Sequence, residues 1–448
     1  MSRNVCITRR GLLKSVAAAA LVGPYVITSD ALGRDVRPSP ANRIGVGGIG
    51  VGGRGGGHMR SLLQDADAQV LAVADTDKRR RDGNKTAIEQ HYSKAQGTTY
   101  AGCASYADFR ELLDRPDIDA VVIGTPDHWH SLVSIMAAKA GKDIYCEKPM
   151  SSIIADGRAS ADAVRRYGRV FQTGSQERSR DNCRFAAELV QNGRLGKIHT
   201  VRTFLPTGDK HSGATGPQPV PDGFDYNMWL GPAPWEPYQA RRCHGSFRWI
   251  MDYSDGELTD RGAHTNDIAL MAAEPFLKGP ATIEGRGTFI NDPLWDVPYK
   301  YNIEFTYASG IRFIVSSEQA PPDIVCSITG DRRGIKFEGD RGWLFVAIHG
   351  GALKADPPSL LQEKIGPGEI HFSRPRDHRR DWLDAIKTRG PTVAPAEDGH
   401  RTATFCHLTL IACQLERKLT WDFEAERFIN DREANAMTHR PMRSPWAL

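Results

Sequence analysis

No apolar run in this chain approaches the ~18–20 residues that a membrane-spanning helix needs. Neither sign of charge dominates: 58 Lys and Arg against 54 Asp and Glu leave +4. Most of that excess sits in the first 33 residues, where Arg3, Arg9, Arg10 and Lys14 face only Asp30. The remainder carries no footprint for nucleic acid or an anionic membrane. Cysteine is sparse and scattered. None of the eight stands in a C-x-x-C or Cys/His cluster of zinc spacing, so neither a metal site nor a disulfide scaffold is expected. What is present is ordinary globular composition, 40% apolar and 25% charged over 448 residues, enough for two or three domains.

Residues 1–33 read as an export signal. Thr8-Arg9-Arg10-Gly11-Leu12-Leu13-Lys14 precedes an Ala-rich, mildly apolar stretch, and Ser29-Asp30-Ala31 offers small residues for cleavage. Paired arginines before Leu-Leu-Lys resemble a twin-arginine signal, the route for folded proteins. A periplasmic or cell-envelope location is therefore expected. Residues 34–41, with Pro38 and Pro40, read as an extended arm.

Residues 42–176 carry strands alternating with helices, the pattern of a doubly wound parallel sheet. Ile44 to Ile49 leads into Gly50-Val51-Gly52-Gly53-Arg54-Gly55, a G-x-G-x-x-G frame. Such a turn lets backbone approach a pyrophosphate at a helix N-terminus. A second frame, from Gly48 to Gly53, overlaps it and leaves the register open. Asp75 ends the next apolar strand and is placed to accept from the ribose hydroxyls of NAD, although Lys78, Arg79 and Arg80 leave NADP possible. Helix is expected over Tyr106–Leu113 and strand over Asp119–Gly124. Ligands sit beyond strand C-termini in such sheets. Three segments therefore converge on the reactive end of the cofactor: Thr125-Pro126-Asp127-His128, Glu147-Lys148-Pro149 and Gly174-Ser175-Gln176-Glu177-Arg178.

From residue 177 the rhythm changes to an α+β domain running to 448. Alternating runs predict a large, mostly antiparallel open sheet, including Ala281–Phe289, Lys300–Tyr307, Ile311–Ser317, Val325–Thr329, Gly334–Glu338 and Trp343–Ile348. Residues 206–223, rich in Gly and Pro, read as a surface loop. The open sheet face suggests a homo-oligomer, dimer or tetramer, and the last helices are free to pack back on the first domain.

These segments together resemble the Gfo/Idh/MocA oxidoreductases. The resemblance rests on the glycine loop, Asp75, Gly124-Thr125-Pro126-Asp127-His128-Trp129-His130, Glu147-Lys148-Pro149 and Gly256-Glu257-Leu258-Thr259-Asp260-Arg261-Gly262-Ala263-His264. The tail, with Gly399-His400-Arg401, Trp421-Asp422 and Pro445-Trp446, resembles a bacterial subgroup that often carries a twin-arginine leader. It implies a Rossmann domain followed by an α+β domain, NAD or NADP as cofactor, and a carbohydrate substrate. It also implies Lys148, Asp260 and His264 as the catalytic set, with Gly50, Gly52, Gly53, Arg54, Gly55, Asp75, Thr125, Pro126, His128, His130, Glu147, Lys148 and Gln176 around the cofactor.

The chemistry agrees with those residue types. Oxidising a secondary alcohol needs an acceptor for the hydroxyl proton, which neutral imidazole supplies, and a cation for the developing alkoxide. Asp260 and His264, at i and i+4, would share one helix face. Arg178, Trp249 and Arg261 are candidates for the substrate, each with a structural alternative. Arg261 stands where the subgroup usually carries Trp; it would recruit an anionic sugar such as a uronate, or be an exposed substitution without consequence. An exported NAD protein must carry its cofactor with it, which favours a closed redox cycle. A redox-neutral glycosidase or lyase acting through a transient C3 ketone, and a non-catalytic sugar-binding protein, are the competing readings.

Overall fold

The computed structural model describes residues 38–39, 42–321 and 333–448. The expected export signal, most of the expected arm and the strand expected over Val325–Thr329 lie outside the described residues.

Six parallel strands form the first sheet: β1 (Ile44–Ile49), β2 (Ala68–Ala74), β3 (Ala104–Tyr106), β4 (Ala120–Ile123), β5 (Asp143–Cys146) and β6 (Phe171–Thr173). Their order is β3-β2-β1-β4-β5-β6. Every residue of β1, β4 and β5 is buried, because crossover helices cover both faces and a parallel sheet tolerates little polarity. The helices are α1 (Gly53–Leu62), α2 (Lys78–Gln96), α3 (Phe109–Leu113), α4 (Asp127–Lys139) and α5 (Ile154–Arg166). The order reverses at β1 and β4, which opens a crevice beyond their C-terminal ends. The helix expected from Tyr106 starts later. Tyr106 pairs with Ala74 in the edge strand β3, and the Asp108 side chain caps α3 by accepting from the Arg110 amide.

The second sheet has nine strands in the order β13-β12-β11-β7-β10-β9-β8-β14-β15. They are β7 (Ile198–Phe204), β8 (Ala281–Phe289), β9 (Pro298–Tyr307), β10 (Arg312–Ser316), β11 (Gly334–Gly339), β12 (Gly342–Ala347), β13 (Leu353–Asp356), β14 (Leu419–Asp422) and β15 (Arg427–Phe428). Only β7 and β10 pair in parallel; the rest are antiparallel, as the alternating pattern requires. After α6 (Asp181–Gln191) and α7 (Tyr226–Leu230), the chain forms α8 (Glu257–Asp260) and α9 (Gly262–Ala273). Then come α10 (His378–Thr388), α11 (Ala396–Leu415) and α12 (Arg432–Ala436). Residues of α6, α9 and α11 join one core with the sheet, where Phe405 stacks on Phe305 at 4.3 Å. The C-terminal region also returns to the first domain. Trp382 and Leu383 of α10 are buried in a core beside β1 and β2, and Trp446 meets Trp129 edge-on at 4.8 Å. Among the described residues no helix is long and apolar enough to cross a membrane.

Candidate active site

A cavity of about 850 Å³ lies in the crevice and is lined from both domains. Its floor is the loop between β1 and α1. Gly50 takes φ +74°, and a Cβ there would stand 2.6 Å from the Thr125 amide nitrogen. At Gly55 a Cβ would stand 2.0 Å from the Gly50 carbonyl, so α1 approaches the strand as only glycine allows. The first turn of α1 has no acid and no side-chain cap, leaving its amides free for an anion. Asp75 faces the same cavity; burial pushes its carboxyl up to about 6. Arg80 also lines it, whereas Arg79 is exposed and Lys78 pairs with Asp82.

At the far end, Lys148 Nζ donates to Asp260 Oδ1 at 2.7 Å and to the Asp260 carbonyl at 2.8 Å. That carbonyl is free because the helix is interrupted. The amides of His264 and Thr265 both reach back to Arg261, and α9 begins only at Gly262. The expected shared face is thus built from two helices meeting at Arg261, and the break is what lets Lys148 grip Asp260 twice. Arg248 Nε reaches Asp260 Oδ1 at 3.1 Å. Burial acts to raise the Asp260 carboxyl, but Lys148 and Arg248 outweigh it and hold the group well below the carboxylate range. His264 is buried and its Nδ1 has no partner among the described residues. Burial, then the Lys148 charge, lower its pKa to about 3, so the ring is neutral. His349 stands edge-on to it at 5.1 Å, gripped through its amide and ring by the buried Glu177.

The orphan amides of α1, the glycine cradle, and Thr125 Oγ1 and His264 Nδ1, which have no hydrogen-bond partner among the described residues, fit a dinucleotide, and Lys148 lines the same cavity. Two family models agree. "Oxidoreductase family, NAD-binding Rossmann fold" matches residues 44–175. "Oxidoreductase family, C-terminal alpha/beta domain", the Gfo/Idh/MocA C-terminal model, matches residues 203–448, more than half of the chain. The chain belongs to the Gfo/Idh/MocA family. Its first domain is the family's NAD-binding Rossmann fold. The protein named myo-inositol 2-dehydrogenase of Thermotoga maritima is 31% identical over 186 residues, 41% of this chain and 48% of that one. Inositol 2-dehydrogenase of Rubrobacter xylanophilus is 29% identical over 315 residues, 70% of this chain and 74% of that one. The chain spans about half or less of the length of the first curated relatives it matches. Aldose-aldose oxidoreductase from Caulobacter crescentus shares the fold, with TM-score 0.59 at 19% identity over 85% of this chain and all of that one.

Within this Gfo/Idh/MocA fold the expected site residues separate into three groups. Gly50, Gly52, Gly53, Arg54, Asp75, Thr125, Pro126, His130, Glu147, Lys148, Gln176, Trp249, Asp260, Arg261 and His264 all line the cavity. Some of these brace the wall. Glu147 accepts from His58 at 2.6 Å and Arg54 at 3.0 Å, which overcome its burial and hold it deprotonated. Arg54 also reaches Gln176 at 3.2 Å. His130 faces the carbonyls of Thr125 and Pro149, tying the two loops together. Three expectations are corrected. His128 is buried outside the cavity, its Nε2 at 3.1 Å from the Trp229 carbonyl and its pKa lowered by burial to about 3. Gly55 lies behind the loop, serving close packing. Arg178 is not a substrate contact: its guanidinium is buried in a fork on Asp267, both bonds 2.8 Å, and reaches Asp398 at 2.5 Å. The sequence reading passed over Arg248, Glu257 and His349, which share the cavity. Glu257, three residues before Asp260, had a spacing that could have revealed it; Arg248 lies on a short 3-10 helix, His244–Trp249, and His349 on a loop, neither with a local signal.

Proposed function

We propose that this protein is an NAD-dependent oxidoreductase acting on a secondary alcohol of a sugar or sugar derivative. The observation that carries the reading is the convergence of Lys148, Asp260 and the unpartnered, neutral His264 on the cavity that holds the glycine loop. Relatives named for inositol support a polyhydroxylated ring as substrate. Bound NAD supplies the hydride acceptor. Asp75 would accept from its ribose hydroxyls, and the amides of α1 would hold its pyrophosphate. His264 takes the hydroxyl proton, while the Lys148 ammonium steadies the oxygen as charge develops. Asp260 holds the Lys148 amine in place through both its carboxylate and its carbonyl. His349 packs edge-on against His264 and is 23% exposed, a route by which the proton would leave.

The same reading has the chain exported by the twin-arginine route with its cofactor already bound, running a redox-balanced cycle as a homo-oligomer through its open sheet face. The motivating observation is the Arg9-Arg10 leader joined to a dinucleotide site. The test is mass analysis of nucleotide released by denaturing protein purified from the cell envelope, then optical titration with sugars and sedimentation. Stoichiometric NAD(H), reduced by at least one polyol or sugar, is expected. Protein that holds no nucleotide and reduces none in the presence of any sugar removes the reading.

A further inference from the structure

Beyond Asp260 the cavity wall carries two buried side-chain atoms without a hydrogen-bond partner among the described residues: Glu257 Oε2 and Arg261 Nε. They stand 3.7 Å apart, and Arg261 Nε is also 3.7 Å from Asp260 Oδ2. Both separations are too long for hydrogen bonds. Glu257 is only 8% exposed. Buried polar atoms are ordinarily satisfied, so this pair faces something that enters from the cavity.

The charge balance says what kind of group that is. Asp260 already receives hydrogen bonds from Lys148 at 2.7 Å and Arg248 at 3.1 Å. Arg261 is therefore a third cation around one carboxylate. Glu257 does not restore the balance, since burial and then the Asp260 charge push it up to about 7. Near neutrality its protonated form is populated and can donate. Of the other acids lining the cavity, Asp127 acts on Arg248, Glu147 is held by His58 and Arg54, Asp75 lies by the glycine loop, and Asp209 is exposed at the mouth. Trp249 lines the same wall and offers a face to a sugar ring.

Resting on the oxidoreductase reading, we infer that the substrate is a sugar acid whose carboxylate is gripped by Arg261 and Glu257 beside Arg248. The guanidinium fork matches a planar carboxylate, and a protonated Glu257 adds an O–H donor to it. The ring then extends over Trp249 towards Lys148 and His264.

The test titrates D-glucuronate, D-glucose and D-glucose 6-phosphate into the NADH-loaded protein, following nicotinamide fluorescence at low and high NaCl. Glucuronate is expected to bind at least about tenfold tighter than glucose at low salt, with the margin shrinking as salt rises. Arg261→Gln should remove the margin, and Arg261→Lys should keep part of it. Equal affinity for glucose and glucuronate, or a margin that survives Arg261→Gln, overturns the clamp. A preference for the phosphate ester over glucuronate overturns the carboxylate assignment. NADH formation is scored separately. Arg261-dependent glucuronate binding with no NAD reduction by any of these sugars upholds the clamp and counts against the oxidoreductase reading; reduction by glucose without a glucuronate preference does the reverse.

Discussion

Lys148 spends two of its three donors on Asp260, leaving one for a substrate oxygen. Lys148→Met is expected to lower turnover by about 10²–10⁴-fold, while NADH affinity, set mainly by the glycine loop, changes by only a few-fold; stopped-flow turnover and fluorescence titration check the two separately. Glu257 makes a pH prediction. Its folded value of about 7 lies above the usual 4.5, because burial and Asp260 disfavour the charge. The folded state therefore binds that proton more tightly than the unfolded chain. The contribution to stability is complete below the unfolded value and is lost as pH rises through 7. Glu257→Gln cannot ionise. It is expected to be more stable than the parent at pH 8 by on the order of 2 kcal/mol, the gap closing towards pH 4.5. Asp75 and Asp156, each raised by burial to about 6, titrate in both proteins and cancel in the difference. Thermal melts across pH are the measurement.

At the scale of elements, the site depends on how α11 fastens two chain segments together. His407 places Nδ1 at 2.6 Å from Asp255 Oδ2 and Nε2 at 3.1 Å from the Ser151 carbonyl. Ser151 follows Lys148 and Asp255 precedes Glu257, so one buried ring joins the segment carrying the amine to the one carrying Asp260. His407→Leu leaves Asp255 buried without this partner and is expected to cost roughly 3 kcal/mol. It should also raise KM and lower kcat together, with His407→Gln recovering part of both. Arg178 has the opposite profile. It ties the short helix after β6 to α9 and α11 through Asp267 and Asp398. Arg178→Met should destabilise by about 3–5 kcal/mol with little change in KM at a temperature where it remains folded. A large KM effect with unchanged stability would restore it to the substrate site.

For the whole molecule, the cavity lies between the two domains and takes its walls from both. A ligand that bridges them should stabilise everything. NADH at about 100 times its Kd is expected to add about 2.7 kcal/mol to unfolding. Gly50→Val meets the Thr125 backbone and is forced from φ +74°, so it should lose that ligand-induced shift; calorimetry with and without NADH decides it.

Much of the first domain was legible because its signals are local: apolar strands, a glycine turn and an acid at the end of β2 follow one another within a few dozen residues. The three-residue β3 escaped because an edge strand that short has almost no pattern. In the second domain the alternating runs revealed strands but not their order, since β7 pairs with β10 and β11 across more than a hundred residues. Arg178 stayed open between substrate and ion pair for the same reason: its partners Asp267 and Asp398 are remote in sequence, and no spacing announces them. The sequence by itself determined the strand–helix rhythm of the first domain, the alternating runs of the second and the cofactor loop, because backbone sterics and hydrophobic period act over short stretches; the set Lys148, Asp260 and His264 was implied by the resemblance to the family's pattern. Only the tertiary structure decided which cations surround Asp260, that Glu257 Oε2 and Arg261 Nε make no hydrogen bond among the described residues, and that His349 packs edge-on against His264. Charge and burial are properties of proximity in space, which chain order does not encode.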